Sequence, residues 1–223
     1  MTNPSTTIAE YYQQRAREYD EVYAKPERQA DLAALKALLP ALVAGRRVLE
    51  IAAGTGYWTE VIARTAASVT ATDLNPQPLE IAAGRDYGAA APLLMTADAY
   101  RLAGVAGQFD LVFCGFWWSH IPRAGIARFL AGVHDRMPAG STLMILDNRY
   151  VPGSNHPIAR TSPLGDTYQV RRLRDGREYE VLKNFPEPGQ LAADLAPWAA
   201  DLRYTKLEYY WLACCELTGP GPT

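Results

Sequence analysis

Cysteine and long apolar runs are scarce in this chain of 223 residues. Its three cysteines, Cys114 and the adjacent pair Cys214-Cys215, have neither the spacing of metal ligands nor the even number that a disulfide framework requires. We therefore expect no metal site and three reduced thiols, as in a cytoplasmic protein. The apolar runs have the length of strands and no N-terminal signal is evident, so neither a membrane span nor secretion is expected.

An excess of positive charge is also absent. The chain holds 22 basic and 24 acidic side chains, for a net charge of −2, and it has no basic run. This balance argues against nucleic acid as a partner. A chain of this length can bury a full hydrophobic core, and we expect it to form one domain over residues 1–223.

The most informative stretch covers residues 46–59. Its apolar residues predict a short buried strand, Gly54 and Gly56 permit a tight turn, and helical spacing resumes from residue 57. A turn of this kind brings the backbone and a helix N-terminus close to a ligand. Glu50 stands at the end of the strand, where its carboxylate would repel a pyrophosphate and attract an amine or a sulfonium. The pattern favours a cationic nucleoside over a dinucleotide.

Residues 48–56 resemble motif I of the class I S-adenosylmethionine (SAM)-dependent methyltransferases, in which an acidic residue precedes Gly-x-Gly-x-Gly. Glu50, Gly54 and Gly56 match the motif, and Ala52 stands in place of its first glycine. The resemblance implies SAM as the cofactor and a small-molecule type of methyltransferase. Because alanine is small, we expect the loop to keep its shape.

An N-terminal helix is predicted over residues 8–23, with tyrosines and an arginine on one face. One interpretation is an amphipathic helix that packs on the domain. The other follows from the resemblance, because many small-molecule methyltransferases begin with a Tyr-x-x-Arg-Ala-x-x-Tyr-Asp lid over the cofactor. On this interpretation Tyr12, Arg15 and Tyr19 belong to the cofactor site, where a hydroxyl and a guanidinium would hold the methionyl carboxylate.

Two further acidic residues follow predicted strands. Asp73 comes about 20 residues after the glycine turn, where doubly wound folds place the acid that binds ribose hydroxyls. Its alternative role is to cap the next helix. By resemblance, Asp98 accepts a hydrogen bond from the adenine amino group and the Ala99 amide reaches a ring nitrogen; a solvated loop aspartate is the alternative. The resemblance also assigns Leu74, Cys114 and Gly115 to the cofactor site.

The loop at residues 115–122 carries a glycine, two indoles and an imidazole, and it ends in Ile-Pro, as similar enzymes often do. Carboxyl ends of parallel strands line ligand crevices, so this loop is expected in the site. His120 is our candidate general base, with a structural histidine bonded to a backbone carbonyl as the alternative. Of Trp117 and Trp118, we expect one to pack in the core and one to contact substrate or sulfonium.

A long insertion follows the fifth predicted strand and covers residues 149–188. Arg149, Tyr150 and His156 at its start are candidate substrate contacts. Further along, alternating runs flank Asp175-Gly176, which is a strong hairpin signal. We expect the insertion either to cover the substrate or to form the contact of a homodimer.

The predicted fold is α/β, with a doubly wound, mostly parallel, seven-stranded Rossmann-like sheet and an antiparallel last strand. Within the single domain we distinguish a helical lid at 1–44, a cofactor-binding core at 45–148, the insertion, and the final helix and strands at 189–217. Residues 202–217 form either one long strand or a tight pair. Besides those named above, the predicted strands are 68–73, 92–98, 108–114 and 141–147, and the predicted helices are 27–44, 76–87, 124–137 and 188–200.

The sequence thus predicts a methyltransferase that moves the methyl group of SAM to an oxygen or nitrogen of a small, partly aromatic molecule. Two alternatives stay open. A nicotinamide-dependent oxidoreductase is disfavoured because Glu50 precedes the turn and the glycine fingerprint is incomplete. A catalytically silent protein that retains the cofactor fold is the other alternative.

Overall fold

The protein is described here by a computed structural model, which covers residues 16–173 and 175–219. Its first elements are a 3-10 helix at Ala16–Tyr23, a second at Pro26–Arg28 and helix α1 at Gln29–Val43. The described part of the predicted N-terminal helix is therefore a 3-10 helix, and Tyr12 and Arg15 lie outside the described residues. Within that described part, no helix is both long and apolar enough to cross a membrane.

A seven-stranded sheet forms the centre of the molecule, in the order β3-β2-β1-β4-β5-β10-β9. Strands β1 to β5 are parallel to one another, and β10 runs antiparallel to both β5 and β9. The sheet confirms the predicted fold class and, for the last segment, the tight pair. Its strands are β1 Arg47–Ile51, β2 Ser68–Asp73, β3 Leu93–Thr96, β4 Leu111–Gly115, β5 Thr142–Asn148, β9 Ala199–Lys206 and β10 Tyr210–Leu217.

Helices cover both faces of this sheet. Alternate strand residues point to opposite faces, so Val48 joins one buried cluster while Leu49 and Ile51 join the other. Helices α1 and α2 pack over the first cluster, and α4 and α5 over the second. After α1, the helices are α2 Tyr57–Ala63, α3 Pro76–Ala83, α4 Ile126–His134 and α5 Pro188–Leu195.

Three helices end three to five residues earlier than the sequence predicts. Helix α3 ends at Ala83 because Gly84 follows, and Tyr87 turns back to donate a hydrogen bond from its hydroxyl to the Ala82 carbonyl at 2.8 Å. Helix α4 is preceded by a 3-10 turn at Arg123–Gly125 and ends at His134, short of the predicted residue 137. Helix α5 ends at Leu195 because β9 already begins at Ala199.

The insertion forms a second, three-stranded antiparallel sheet, with strands β6 Arg160–Thr161, β7 Thr167–Arg172 and β8 Glu178–Leu182. Strands β7 and β8 make the hairpin that the Asp-Gly pair predicts. Strand β6 was not predicted, since two residues are too few to show an alternating pattern. At the other end of the insertion, the Oγ of Ser154 accepts a hydrogen bond from Arg28 Nε at 2.9 Å, which ties the insertion to the N-terminal segment.

Candidate functional site

A cavity of about 620 Å³ opens at the carboxyl ends of the parallel strands. This is where open α/β sheets hold their ligands, and the volume is within the range of small-molecule sites. The wall combines the glycine turn, the ends of β2 and β3, and the loop after β4. Its residues are Tyr19, Ala52, Gly54, Thr55, Asp73, Leu74, Asn75, Pro78, Ala97, Asp98, Ala99, Tyr100, Arg101, Gly115, Phe116, Trp117, His120, Pro122, Ala124, Gly125 and Arg128.

The two glycines of the turn have different tasks. Both have positive φ, 57° for Gly54 and 76° for Gly56. A Cβ on Gly54 would have only Tyr19 within 4 Å, at 3.9 Å, so this residue presents bare backbone to the cavity. A Cβ on Gly56 would lie 2.8 Å from the Cβ of Ala82, so Gly56 does not line the cavity but permits α2 and α3 to pack closely.

Asp73 joins the end of β2 to the glycine turn. Its Oδ2 accepts a hydrogen bond from the Gly54 amide and its Oδ1 one from the Asn75 amide, each at 2.9 Å. Burial raises the pKa of Asp73, and these amide bonds oppose the rise. The carboxylate still lines the cavity, so turn stabilisation and ligand binding are compatible roles at one position.

Asp98 and Ala99 stand two and three residues beyond the end of β3. The Oδ1 of Asp98 accepts a hydrogen bond from the Tyr100 amide at 2.8 Å, which fixes the bend of the chain here. Ala99 is buried, and both residues line the cavity together with Leu74 from the end of β2. The structure therefore brings the two acidic residues to one cavity, as their strand-end positions predict.

Glu50 is only 2% exposed and is not part of the cavity wall. Burial, together with the negative charge of Asp73, raises the pKa of Glu50 to about 8. Thr59 at the start of α2 opposes this rise by hydrogen bonding. The motif residue therefore has no direct contact with the cavity, and a carboxyl with this pKa is mostly neutral around pH 7.

The N-terminal segment forms one side of the cavity. Tyr19 lines it, and the next residue, Asp20, is 2.5 Å from the Thr55 hydroxyl in the glycine turn. Asp20 also forms an ion pair with Arg85, which donates from Nε to the Thr55 carbonyl at 2.5 Å and from Nη1 to Glu60 at 3.0 Å. Asp20, Thr55, Arg85 and Glu60 form what we call the N-terminal latch.

The loop at residues 115–122 divides its aromatic side chains between the core and the cavity. Phe116, at φ 62°, and Trp117 line the cavity, and Trp117 stacks edge-on against Tyr100 with ring centroids 5.9 Å apart. Trp118 is 2% exposed and packs in the core against Phe129. A 3-10 turn begins at Trp118, so the side chains of Trp117 and Trp118 point in different directions.

His120 lies in the cavity wall and is 5% exposed. Its Nδ1 is 2.7 Å from the Leu182 carbonyl oxygen at the end of the inserted hairpin. Burial lowers the pKa of His120 well below its ordinary value, and the positive charges of Lys183 and Arg171 lower it further. The imidazole is therefore neutral around pH 7.

Comparisons with known proteins agree with this geometry. Residues 48–140 match the family described as "Methyltransferase domain". The ubiquinone biosynthesis O-methyltransferase of Xylella fastidiosa (strain 9a5c) is similar, with 28% identity over 190 residues that cover 77% of this chain and 74% of that protein. The corresponding protein of Xanthomonas axonopodis pv. citri (strain 306) is 31% identical over 154 residues, which cover 67% and 60% of the two chains.

Two solved structures cover nearly the whole chain. The DhpI-SAH complex has a TM-score of 0.73 and 28% identity, over 96% of each chain. The DhpI-SAM-HEP complex has a TM-score of 0.76 and 25% identity, over 96% of this chain and 99% of DhpI. The chain belongs to the class I SAM-dependent methyltransferases. This enzyme transfers a methyl group from SAM to an oxygen or nitrogen of a small molecule.

The methyltransferase has a cavity whose chemistry fits SAM. The bare backbone at Gly54 leaves room for a ligand, and the carboxylates of Asp73 and Asp98 accept hydrogen bonds from hydroxyl and amino groups. Negative charge at this end also favours a sulfonium cation. Among the described residues, no group of three or more His, Cys, Asp or Glu is arranged to hold a metal ion.

Besides Glu50, Gly56 and Trp118, four predicted site residues of the methyltransferase lie away from this cavity. Cys114 is fully buried in the core, because its side chain points into the layer beneath β4, and burial raises its pKa beyond the range in which a thiolate forms. Arg149 and Tyr150 line a second cavity of about 210 Å³, next to the insertion. His156 is exposed and belongs to neither cavity wall.

Sequence reasoning missed a buried polar cluster beside His120. It consists of Ser119, Asp147, Lys183 and Asn184, all less than 9% exposed. Asp147 is the last residue of a predicted strand, and Lys183 follows an exposed hairpin where a lysine is expected in solvent. Their pairing brings together residues 36 positions apart, and only the run Leu182-Lys183-Asn184 next to apolar strand residues hints at burial.

Proposed function

We propose that the methyltransferase methylates a hydroxyl oxygen of a small aromatic acceptor, with His120 as the general base. The observation that carries this proposal is the position of His120 in the cavity wall with its Nδ1 committed to a carbonyl oxygen. A carbonyl only accepts hydrogen bonds, so Nδ1 carries the hydrogen and Nε2 keeps the lone pair. A neutral imidazole of this tautomer accepts a proton from a hydroxyl group.

The aromatic wall supports an aromatic acceptor. Phe116, Trp117 and Tyr100 line the same cavity as His120, and flat rings pack on such a wall. The relatives named above are O-methyltransferases, which supports oxygen over nitrogen as the attacking atom. A phenol needs a base because it arrives protonated, and this need gives His120 a task.

The cofactor end of the cavity binds and orients. We propose that Asp73 binds ribose hydroxyls, that Asp98 and the Ala99 amide hold adenine, and that Gly54 and Gly115 present bare backbone. Tyr19 lines this end of the cavity. The cofactor contacts predicted for Tyr12 and Arg15 stay predictions, since both lie outside the described residues. SAM supplies an activated methyl group on a sulfonium. The chain contributes by aligning the acceptor oxygen with that group in a site from which water is excluded.

The experiment begins with titration calorimetry of the protein with S-adenosylhomocysteine (SAH), followed by a screen of phenols, amines and carboxylic acids as acceptors of labelled methyl from SAM. We expect one-to-one binding of SAH and turnover of a phenol. His120→Gln should lower kcat about 100-fold and leave the SAH dissociation constant unchanged. The matched control is His134→Gln, because His134 lies in α4 and contacts the Trp198 carbonyl at 3.0 Å, outside the cavity. Turnover of amines but not of phenols would overturn the proposed acceptor class.

We also propose that the insertion covers the acceptor, that the enzyme acts in the cytoplasm, and that nucleic acid is not a partner. Ser154 and Leu182 place the insertion next to both the N-terminal segment and His120, which supports the cover. The free thiols of Cys114 and Cys215 are buried, as suits a reducing compartment. Sedimentation of the wild type against Leu164→Asp tests the alternative homodimer, since Leu164 is an apolar residue 69% exposed on the insertion.

A further inference from the structure

Three consecutive residues at the end of the inserted hairpin contact the loop that carries His120. The Leu182 carbonyl accepts the His120 bond described above. The Asn184 amide donates to the Ser119 carbonyl at 2.7 Å, and its side-chain Nδ2 donates to the Ile121 carbonyl at 3.1 Å. Leu182 and Asn184 therefore both bond the segment 119–121, on either side of Lys183.

Lys183, the middle residue, adds a buried ion pair. Its Nζ donates to Ser119 Oγ at 2.5 Å and to Asp147 Oδ1 at 3.2 Å. Asp147, at the end of β5, also accepts the Ser119 amide at 2.8 Å and the Ser119 hydroxyl at 2.9 Å. The Lys183 side chain is 5% exposed and that of Asp147 is 0% exposed. The hairpin, the loop and β5 thus meet in one polar cluster.

We propose that Leu182, Lys183 and Asn184 act as a positioning element for His120. These three residues fix the imidazole in one tautomer and hold its loop against the end of β5. This inference rests on the proposed role of His120 as general base. Lys183 and Asn184 are positioning residues, since they act on the acceptor only through His120.

Energetics support positioning over stability as the role of the ion pair. Desolvation of two charges consumes most of what their attraction supplies, so apolar residues in their place are often as stable or more stable. A bonded pair nevertheless restricts geometry much more than apolar packing does. Lys183 and Asp147 set the distance between β8 and β5, and His120 lies between these two elements.

Charge acts in the same direction as geometry. The charged groups that face His120 are Lys183 on the insertion, Arg171 on β7 and, through Lys183, Asp147 on β5; Tyr19 lines the same cavity. Burial lowers the pKa of Lys183 to about 8, and Asp147 opposes that shift, so the ammonium is charged around pH 7. A positive charge beside an imidazole keeps the ring deprotonated, which a general base requires.

The test is nuclear magnetic resonance of protein labelled with 15N in its histidine rings, with no acceptor present. The chain has three histidines, so His120→Gln assigns the signal. In the wild type we expect the Nδ1-protonated tautomer and a neutral ring throughout the pH range in which an ordinary imidazole titrates. In Lys183→Met/Asp147→Asn, which removes both charges, we expect a higher ring pKa, because the positive charge of Lys183 is lost, and a mixture of tautomers. Lys36→Met, at an exposed lysine on α1, is the matched control and should match the wild type.

The inference would be overturned if the His120 ring of the double variant had the same titration and the same single tautomer as in the wild type. If the double variant does not fold, Asn184→Ala gives the same test with the ion pair intact. An unchanged single tautomer in Asn184→Ala would then overturn the inference.

Kinetics with the best phenol of the screen separate this inference from the proposed function. Full turnover by His120→Gln overturns the base role and this inference together. If His120→Gln loses turnover but the positioning variants keep the wild-type tautomer and titration of His120, the inference alone is overturned. If both proposals hold, the positioning variants lose about 10-fold in kcat with the SAH dissociation constant unchanged.

Discussion

The backbone amide of Gly54 donates to Oδ2 of Asp73 at 2.9 Å. This bond joins the first turn of the sheet to the end of the neighbouring strand, 19 residues later. Because the other carboxylate oxygen accepts the Asn75 amide, Asp73 shapes two backbone segments of the cavity at once. A ligand that binds Asp73 therefore meets a carboxylate whose orientation is already fixed.

Removal of this carboxylate should weaken cofactor binding. Asp73→Ala is expected to weaken SAH binding by about 2 kcal/mol, because charge-assisted hydrogen bonds to the ligand are lost. The SAH dissociation constant of Asp73→Asn should lie between those of Asp73→Ala and the wild type, since asparagine keeps one oxygen acceptor. Asp86→Ala is the control, because Asp86 is exposed and accepts a hydrogen bond from the nearby Gly88 amide. Equal dissociation constants for all four proteins would remove Asp73 from the binding site.

The departure from the glycine motif at Ala52 makes a prediction about stability. Ala52 has φ 57°, a left-handed conformation that costs a residue with a Cβ about 1–2 kcal/mol. Ala52→Gly should therefore raise the free energy of unfolding by about 1 kcal/mol in urea titrations. Ala53→Gly is the matched control. Ala53 is not among the residues with positive φ, so its replacement should destabilise by about 0.5–1 kcal/mol. A change in the free energy of unfolding of the same sign for both variants would contradict this account.

The N-terminal latch predicts a difference between two arginines that both pair with Glu60. Arg85 also reaches Asp20 and the Thr55 carbonyl, whereas Arg64 forms a surface pair at 3.2 Å. Arg85→Met should release the segment that carries Tyr19 and speed SAH dissociation several-fold, equivalent to about 1 kcal/mol. Arg64→Met should leave dissociation unchanged, since surface pairs contribute little. Stopped-flow release of SAH measures both rates, and equal rates would exclude a latch.

Glu50 predicts a dependence of stability on pH. Its pKa is about 8 in the folded protein and close to its ordinary value of 4.5 when unfolded. Between these two values the folded state keeps a proton that the unfolded state has lost, so the contribution of Glu50 to stability falls as pH rises and levels off above about pH 8. Glu50→Gln should remove this decline. Thermal melts without ligand from pH 5 to 9 test it, and parallel curves for the two proteins would disprove the shift.

The parallel half of the sheet could be predicted because its strands are short apolar runs that end in Gly or Asp. Strands β2 and β4 show this, and their ends also locate the cavity. Helix ends were harder, as α3 illustrates: the bond from Tyr87 back to the Ala82 carbonyl has no periodic signal. The pairing of Lys183 with Asp147 was not predictable either. It depends on how a hairpin folds back over the sheet, and neither residue type shows by itself that it is buried.

The contacts of residues 182–184 with residues 119–121 have a consequence for protein engineering. The stretch that matches the methyltransferase family ends at residue 140, before the insertion begins, so one half of this interface lies inside that stretch and the other half lies outside it. Grafting the insertion of a relative onto this enzyme would change the acceptor cover and also remove the partners of the His120 loop. A chimera should therefore exchange residues 115–123 together with 149–188 as a single module.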